Sequence, residues 1–127
     1  MPRPAHEAPR PVRRLCLAVR SQVVFPRSVA TLEISRPENL SALARHAGAD
    51  EPIIAVPLSE PAVEGVPLKL HAVGTRCRLL DRIRMPDGSE RVVLQGFSRV
   101  GLSDLHEEQG HFTAETCELD TGAVDRA

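Results

Sequence analysis

The sequence predicts a mainly β domain with one early helix, closed as a barrel or half-barrel. Three observations point there. Short apolar or alternating runs recur along the chain, and the 11 prolines are spread between them instead of gathering in one block. The apolar period lengthens only once, between Ser35 and Gly48, from two residues to about 3.6. Finally, Met85-Pro86-Asp87-Gly88 lies between two strand-like runs and supplies the residues of a reversing turn.

Taken in order, residues 1–14 hold Pro2, Pro4, Pro9 and Pro11 among arginines without apolar periodicity, so they read as a disordered leader. The prolines also spoil the amphipathic helix that an arginine-rich transit peptide would form. Structure is expected from Leu15, where Leu-Cys-Leu-Ala-Val is a run of the kind that forms a buried strand. Pro26 interrupts the next apolar stretch, Val23-Val24-Phe25. Residues 28–34 alternate, with Val29, Thr31 and Glu33 on one side and Ala30, Leu32 and Ile34 on the other, which is a second strand.

Ser35 followed three residues later by Glu38 is a capping-box pattern, with Pro37 suited to the first turn and Gly48 placed to end the helix. Leu40, Leu43, Ala44 and Ala47 then form one apolar face that should lie on a sheet. Residues 53–58 read as another buried strand, 59–67 as a Pro/Gly/Glu loop, and 72–83 as a strand leading into the Pro-Asp-Gly hairpin. Val92-Val93-Leu94 returns along it, Gly96 suggests a bulge or tight bend, and 99–105 and 111–119 supply two further short strands.

Composition narrows function mainly by exclusion. A length of 127 residues suits one domain. A net charge of -1 marks neither nucleic acid nor anionic lipid as the obvious partner, and no apolar stretch is long enough to span a bilayer. The aromatic content of 2% is all phenylalanine, which removes the Tyr and Trp platforms used to stack single-stranded bases. Cys16, Cys77 and Cys117 lie far apart with no CxxC pair and read as buried free thiols, which suits a cytoplasmic protein.

Three enzyme signatures fail on physical grounds. No GxxxxGK[ST] is present to cradle phosphates. His106 and His111 are five apart, not four, so they would not share a helical face as zinc ligands, and a loop with two surface histidines is expected. No serine sits in a GxSxG elbow. No catalytic, cofactor-binding or metal-ligating residue is therefore assigned.

Several segments together resemble one family. Leu17-Ala-Val-Arg-Ser-Gln-Val-Val-Phe-Pro26 is similar to the opening of the amino-terminal substrate-binding domain of Lon-type ATP-dependent proteases. Pro52-Ile-Ile-Ala-Val-Pro-Leu58 resembles that family's central strand, and Ala72-Val-Gly-Thr-Arg-Cys77 its Val-Gly-Thr strand. Arg82 to Phe97 is similar to its Leu-Pro-Asp-Gly hairpin and the Gly-Leu or Gly-Phe that follows. Two positions depart: Arg27 stands where the family usually has glycine, and Ala30-Thr31 where it often has Val-Pro.

The resemblance implies a PUA-like pseudo-barrel over residues 15–119, with 120–127 a tail or the start of a helical part, so that the chain is a fragment or a stand-alone relative. It implies binding, not catalysis, with unfolded or tagged protein clients as partners, self-association or contact with other Lon modules, no cofactor and no membrane. Binding varied clients calls for apolar patches near the hairpins and an open strand edge. Val24, Phe25, Pro26, Leu58 and Phe97 are the candidate client-binding residues; alternatively they are ordinary core. A second reading, RNA binding, would use Arg76, Arg78, Arg82, Arg84 and Arg91 as a basic stripe around the hairpin.

Overall fold

A computed structural model describes residues 12–20, 24–46 and 51–119. The order is β1 (Val12–Val19), β2 (Val29–Ile34), α1 (Pro37–His46), β3 (Ile53–Pro57), β4 (Val73–Arg84), β5 (Glu90–Glu108) and β6 (His111–Glu118). β1 and β3 run parallel, Cys16 opposite Ile54 through Val19 opposite Pro57, with β2 and α1 in the crossover that such a pair requires. The remaining pairs are antiparallel. Because β5 pairs with both β4 and β6, the ladder closes on itself as β5–β4–β3–β1–β6–β5, and β2 is added outside the ring along the first half of β5. The mainly β class with one early helix is as expected.

Strands β1 and β3 are buried on both faces, which is why their sequences are unbroken apolar runs without alternation. Leu17, Val19, Ile53 and Ala55 point into one core cluster with Leu32, Ile34, Val92, Leu94 and helix residues Ala42 and Leu43. Cys16, Ile54 and Val56 point into a second with Val100, Phe112 and Ala114. Each fully buried Leu, Ile or Val contributes about 1.5–3 kcal/mol relative to exposure, so these two short strands are the structural centre.

The structure changes the expected elements in several places. The leader reading stops short, because Val12, Arg13 and Arg14 pair with Thr116, Glu115 and Ala114; residues 1–11 and 120–127 lie outside the described residues. An arginine pair carries no apolar period, yet backbone pairing to β6 orders it, and Arg13 also bonds Asp104 at 2.6 Å. The two late strands expected around Gly96 are one strand of 19 residues, since bulges bend it without breaking its ladder. The expected histidine loop is a tight hairpin instead. Gln109 and Gly110 adopt φ of 56° and 85°, the pair of left-handed conformations a two-residue type I′ turn demands, and His111 is buried while His106 stays exposed.

Helix α1 is rotated from its expected face. Its buried residues are Asn39, Ala42, Leu43 and His46, whereas Ala44 is exposed; Ala47 lies outside the described residues. The reason is polar. Pairing of β1 with β6 ends at Cys16, and beyond it the side-chain amide of Asn39 replaces the strand, accepting from Ala18 N and donating to Ala18 O, both at 2.9 Å. Leaving that buried N–H and C=O unpaired would cost about 1–3 kcal/mol each. The cap also shifts: Arg36, not Ser35, offers the carbonyl that Asn39 N and Leu40 N donate to.

The β4–β5 hairpin is fastened to α1 through charge. Arg82 forms a two-pronged pair with the buried Glu90 carboxylate and donates to Leu43 O at 2.9 Å near the end of α1. The Arg82 hydrogen bond holds the Glu90 carboxyl below its ordinary range despite burial. A depressed carboxyl stabilises the fold above its ordinary value of 4.5 and loses that stabilisation as pH falls through the lowered folded value. Glu90→Gln should therefore show a smaller drop in urea midpoint than the parent on going from neutral pH to about pH 3, and a lower midpoint at neutral pH. An equal drop in both proteins would exclude this role.

Gly96 sets the second constraint. Leu94 and Val100 have the same parity but face different cores, because the register shifts from Arg76 opposite Ser98 to Cys77 opposite Gly96 and leaves Phe97 as an extra residue. A Cβ on Gly96 would collide with the Phe25 carbonyl oxygen, a backbone atom that cannot rotate away. Gly96→Ala is expected to lower stability by about 1–3 kcal/mol in urea unfolding, the range for overpacking a tight site. Wild-type stability in that variant would show that the close approach is dispensable.

Candidate functional site

The candidate surface is built around that glycine. Thr75 Oγ1 donates to Val24 O at 2.6 Å, and the Val24 side chain is buried in the first core cluster. The chain then turns: Ser28 N donates to Phe25 O at 3.2 Å, with Pro26 at the first central position and Arg27 at the second with φ of 65°. This is the pattern of a type II turn, in which the second central residue is ordinarily glycine. Arg27 thus holds a left-handed conformation that ordinarily favours glycine. The turn is strapped to the bulge by Arg27 N donating to Gly96 O and Gly96 N donating to Ser28 O, both at 2.8 Å.

Two phenylalanines emerge beside the strap. Phe25 is 54% exposed and Phe97, the extra residue of the bulge, is 41% exposed. The Arg76 guanidinium carbon lies 5.7 Å from the Phe97 ring centroid, a cation–π distance. Arg76 is held there by Ser98 Oγ at 3.2 Å and by Glu118 at 3.1 Å. Below the ring a depression of about 390 Å³ is lined by Glu51, Pro52, Arg76, Cys77, Arg78 and Phe97.

Of the five sequence-predicted site residues, the structure brings three together and separates two. Phe25, Pro26 and Phe97 gather at Gly96. Val24 is core at 2% exposure, because alternation along an extended segment turns it inward when Phe25 turns out. Leu58 lines a different depression of about 450 Å³ with Arg20, Ser59, Glu60, Pro61 and Ala62, its backbone bridged to Leu70. Sequence reasoning missed Val29, 59% exposed and opposite Gln95, next to the strap. The signal was present: Val29 is the one large apolar residue on the polar side of its alternating strand. Strand β2 also has only β5 as a neighbour among the described residues, leaving one edge open.

The chemistry available here is that of contact. Burial pushes the Cys77 thiol up to about 12, and the same desolvation acts on Cys16, so both are protonated packing groups at neutral pH. Cys117, expected to be buried, is exposed at the end of β6. Among the described residues no three His, Cys, Asp or Glu side chains gather as a metal-binding group, and no helix is long and apolar enough to cross a membrane. The arginine stripe is partly compensated: Arg76 pairs with Glu118, Arg82 and Arg84 share the one carboxylate of Glu90, and Arg91 pairs with Glu33, leaving Arg78 without a carboxylate partner among the described residues.

Comparison with known proteins agrees with this architecture. Over residues 13–126 the sequence matches the family described as the ATP-dependent protease La (LON) substrate-binding domain. It is 30% identical over 105 residues to a Lon protease of Xanthomonas oryzae pv. oryzae, covering 82% of this chain and 12% of that protein. It is 28% identical over 110 residues to the Lon protease of Escherichia coli strain K12, covering 86% and 14%. The chain therefore spans about an eighth of the length of these curated relatives. The fold is similar to the Lon N-terminal domain protein of Xanthomonas campestris, with a TM-score of 0.64 at 16% identity over 86% of this chain and 60% of that one. It is also similar to the N-terminal domain of Mycobacterium avium complex Lon protease, with a TM-score of 0.62 at 16% identity over 85% and 55%. From the match across residues 13–126, joined to the same fold, this chain belongs to the Lon substrate-binding domain family.

Proposed function

We propose that this domain captures unfolded or tagged polypeptides on the surface formed by Phe25, Pro26, Phe97 and Val29, and that it binds without performing chemistry itself. The observation that carries the reading is the pair of half-exposed phenylalanines seated on a rigid, hydrogen-bonded strap beside an open strand edge. Aromatic contact and main-chain pairing both tolerate varied client sequence, which suits a receptor for unfolded chains. The module acts in the cytoplasm, hands its clients to ATPase and protease modules, and is organised as one domain that includes β1 from Val12 and runs to residue 119. The pairing of four of the five hairpin arginines with carboxylates counts against the RNA reading, since paired guanidiniums release few counterions on meeting phosphates.

The test is capture of a reduced, carboxymethylated protein that cannot refold, followed by fluorescence anisotropy. Replacing Phe25 and Phe97 together by serine should weaken capture about tenfold, about 1.4 kcal/mol, while leaving the melting temperature within a few degrees. A collapse of the melting temperature would identify the two rings as packing residues, and unchanged capture would move the client site elsewhere. Sedimentation of the same samples separates client capture from self-association.

A further inference from the structure

We infer that the depression beside Phe97 selects client segments in which an aromatic side chain is followed closely by a carboxylate, with Arg78 reading the charge. The inference rests on the client-binding reading and adds a chemical preference to it. Arg76 and Arg78 stand two residues apart on β4, so both project from one face, and both line the depression with Phe97 and Pro52.

The two arginines differ in what already engages them. Arg76 is occupied by Glu118, Ser98 and the Phe97 ring, which makes it a fixed wall. The carboxylate in the lining, Glu51, lies 3.5 Å from Arg14. Among the described residues around this depression, then, three arginines face two carboxylates, and the uncompensated one is the exposed Arg78. A volume of about 390 Å³ lies at the small end of the range for ligand pockets, room for one ring and its neighbour and not for a folded partner. An apolar wall of ring and proline next to a guanidinium without a carboxylate partner among the described residues is complementary to an aromatic–acidic pair, and it disfavours the ammonium group of a lysine.

The experiment uses the full chain and fluorescein-labelled ten-residue peptides of Gly and Ser that differ at one position, Phe-Ser-Asp, Phe-Ser-Asn or Phe-Ser-Lys. In an extended peptide the first and third side chains share one side about 7 Å apart. The Asp peptide should bind about three- to fivefold tighter than the Asn peptide, as one exposed ion pair permits, and the difference should shrink in about 0.5 M salt. Arg78→Gln should bring the Asp peptide down to the affinity of the Asn peptide, and Arg78→Glu should reverse the order in favour of Lys. Equal binding of the Asp and Asn peptides to the parent protein, or a preference that survives Arg78→Gln, overturns the inference. If unfolded protein is still captured through Phe25 and Phe97 in that case, the charge preference alone falls. If capture is absent as well, the client-binding reading falls with it.

Discussion

The close approach of the Val24–Ser28 strap to Gly96 is the constraint on which the candidate site depends. Two backbones meet there at a spacing that leaves no room for a Cβ, and they are held by reciprocal hydrogen bonds between Gly96 and the residues after Pro26. That contact coincides with the bulge that inserts Phe97 into β5. The extra residue reverses the facing of the side chains that follow it, so one long strand lines the first core with Val92 and Leu94 and the second with Val100. The geometry that lets one strand serve two cores also pushes one phenylalanine out at the bulge and fixes another on the strap. Exposed aromatic surface is usually a liability. Here it is held in place by a glycine.

The rest of the molecule keeps this junction rigid. β1 and β3 bury both faces, and the ring closes through β5 and β6, so within the ring no strand is left as a free edge. Where β6 runs out, Asn39 of α1 takes over its hydrogen bonds to Ala18 and thereby fixes the rotation of the helix. At the opposite flank, Arg82 joins the buried Glu90 and the Leu43 carbonyl, tying the long hairpin to the same helix. The buried Asn39 amide and Glu90 carboxylate in these joints both have partners, which is the condition for polar groups to order a core instead of destabilising it. Among the described residues β2 keeps an open edge beside the phenylalanines, and β4 beyond Cys77 is likewise paired only with β5.

Pairing also decides which charges are available to a partner. Counted along the chain, the hairpin arginines look like a basic stripe; counted across the strands, most already face a carboxylate. Among the described residues Arg78 remains without a carboxylate partner, beside the Phe97 ring. The family is described as a substrate-binding domain, and the part matched by this chain is 12–14% of its curated relatives.

The sequence alone determined the features that depend on near neighbours. The β class, the alternation of Val29 to Ile34, the position of the helix, the Pro-Asp-Gly hairpin and the irregularity at Gly96 were all legible, because periodicity and turn chemistry act over a few residues. The family was legible as well, since the order of those signals is itself informative. Only the tertiary structure decided matters that join distant residues. It drew Val12 to Arg14 into β1 through β6, turned Asn39 inward to meet Ala18, separated Val24 and Leu58 from the two phenylalanines, and left Arg78 without a carboxylate partner among the described residues. The physical reason is common to all four. Burial, strand pairing and charge compensation are set by partners tens of residues away, and nothing in a local window of sequence specifies which partner will arrive.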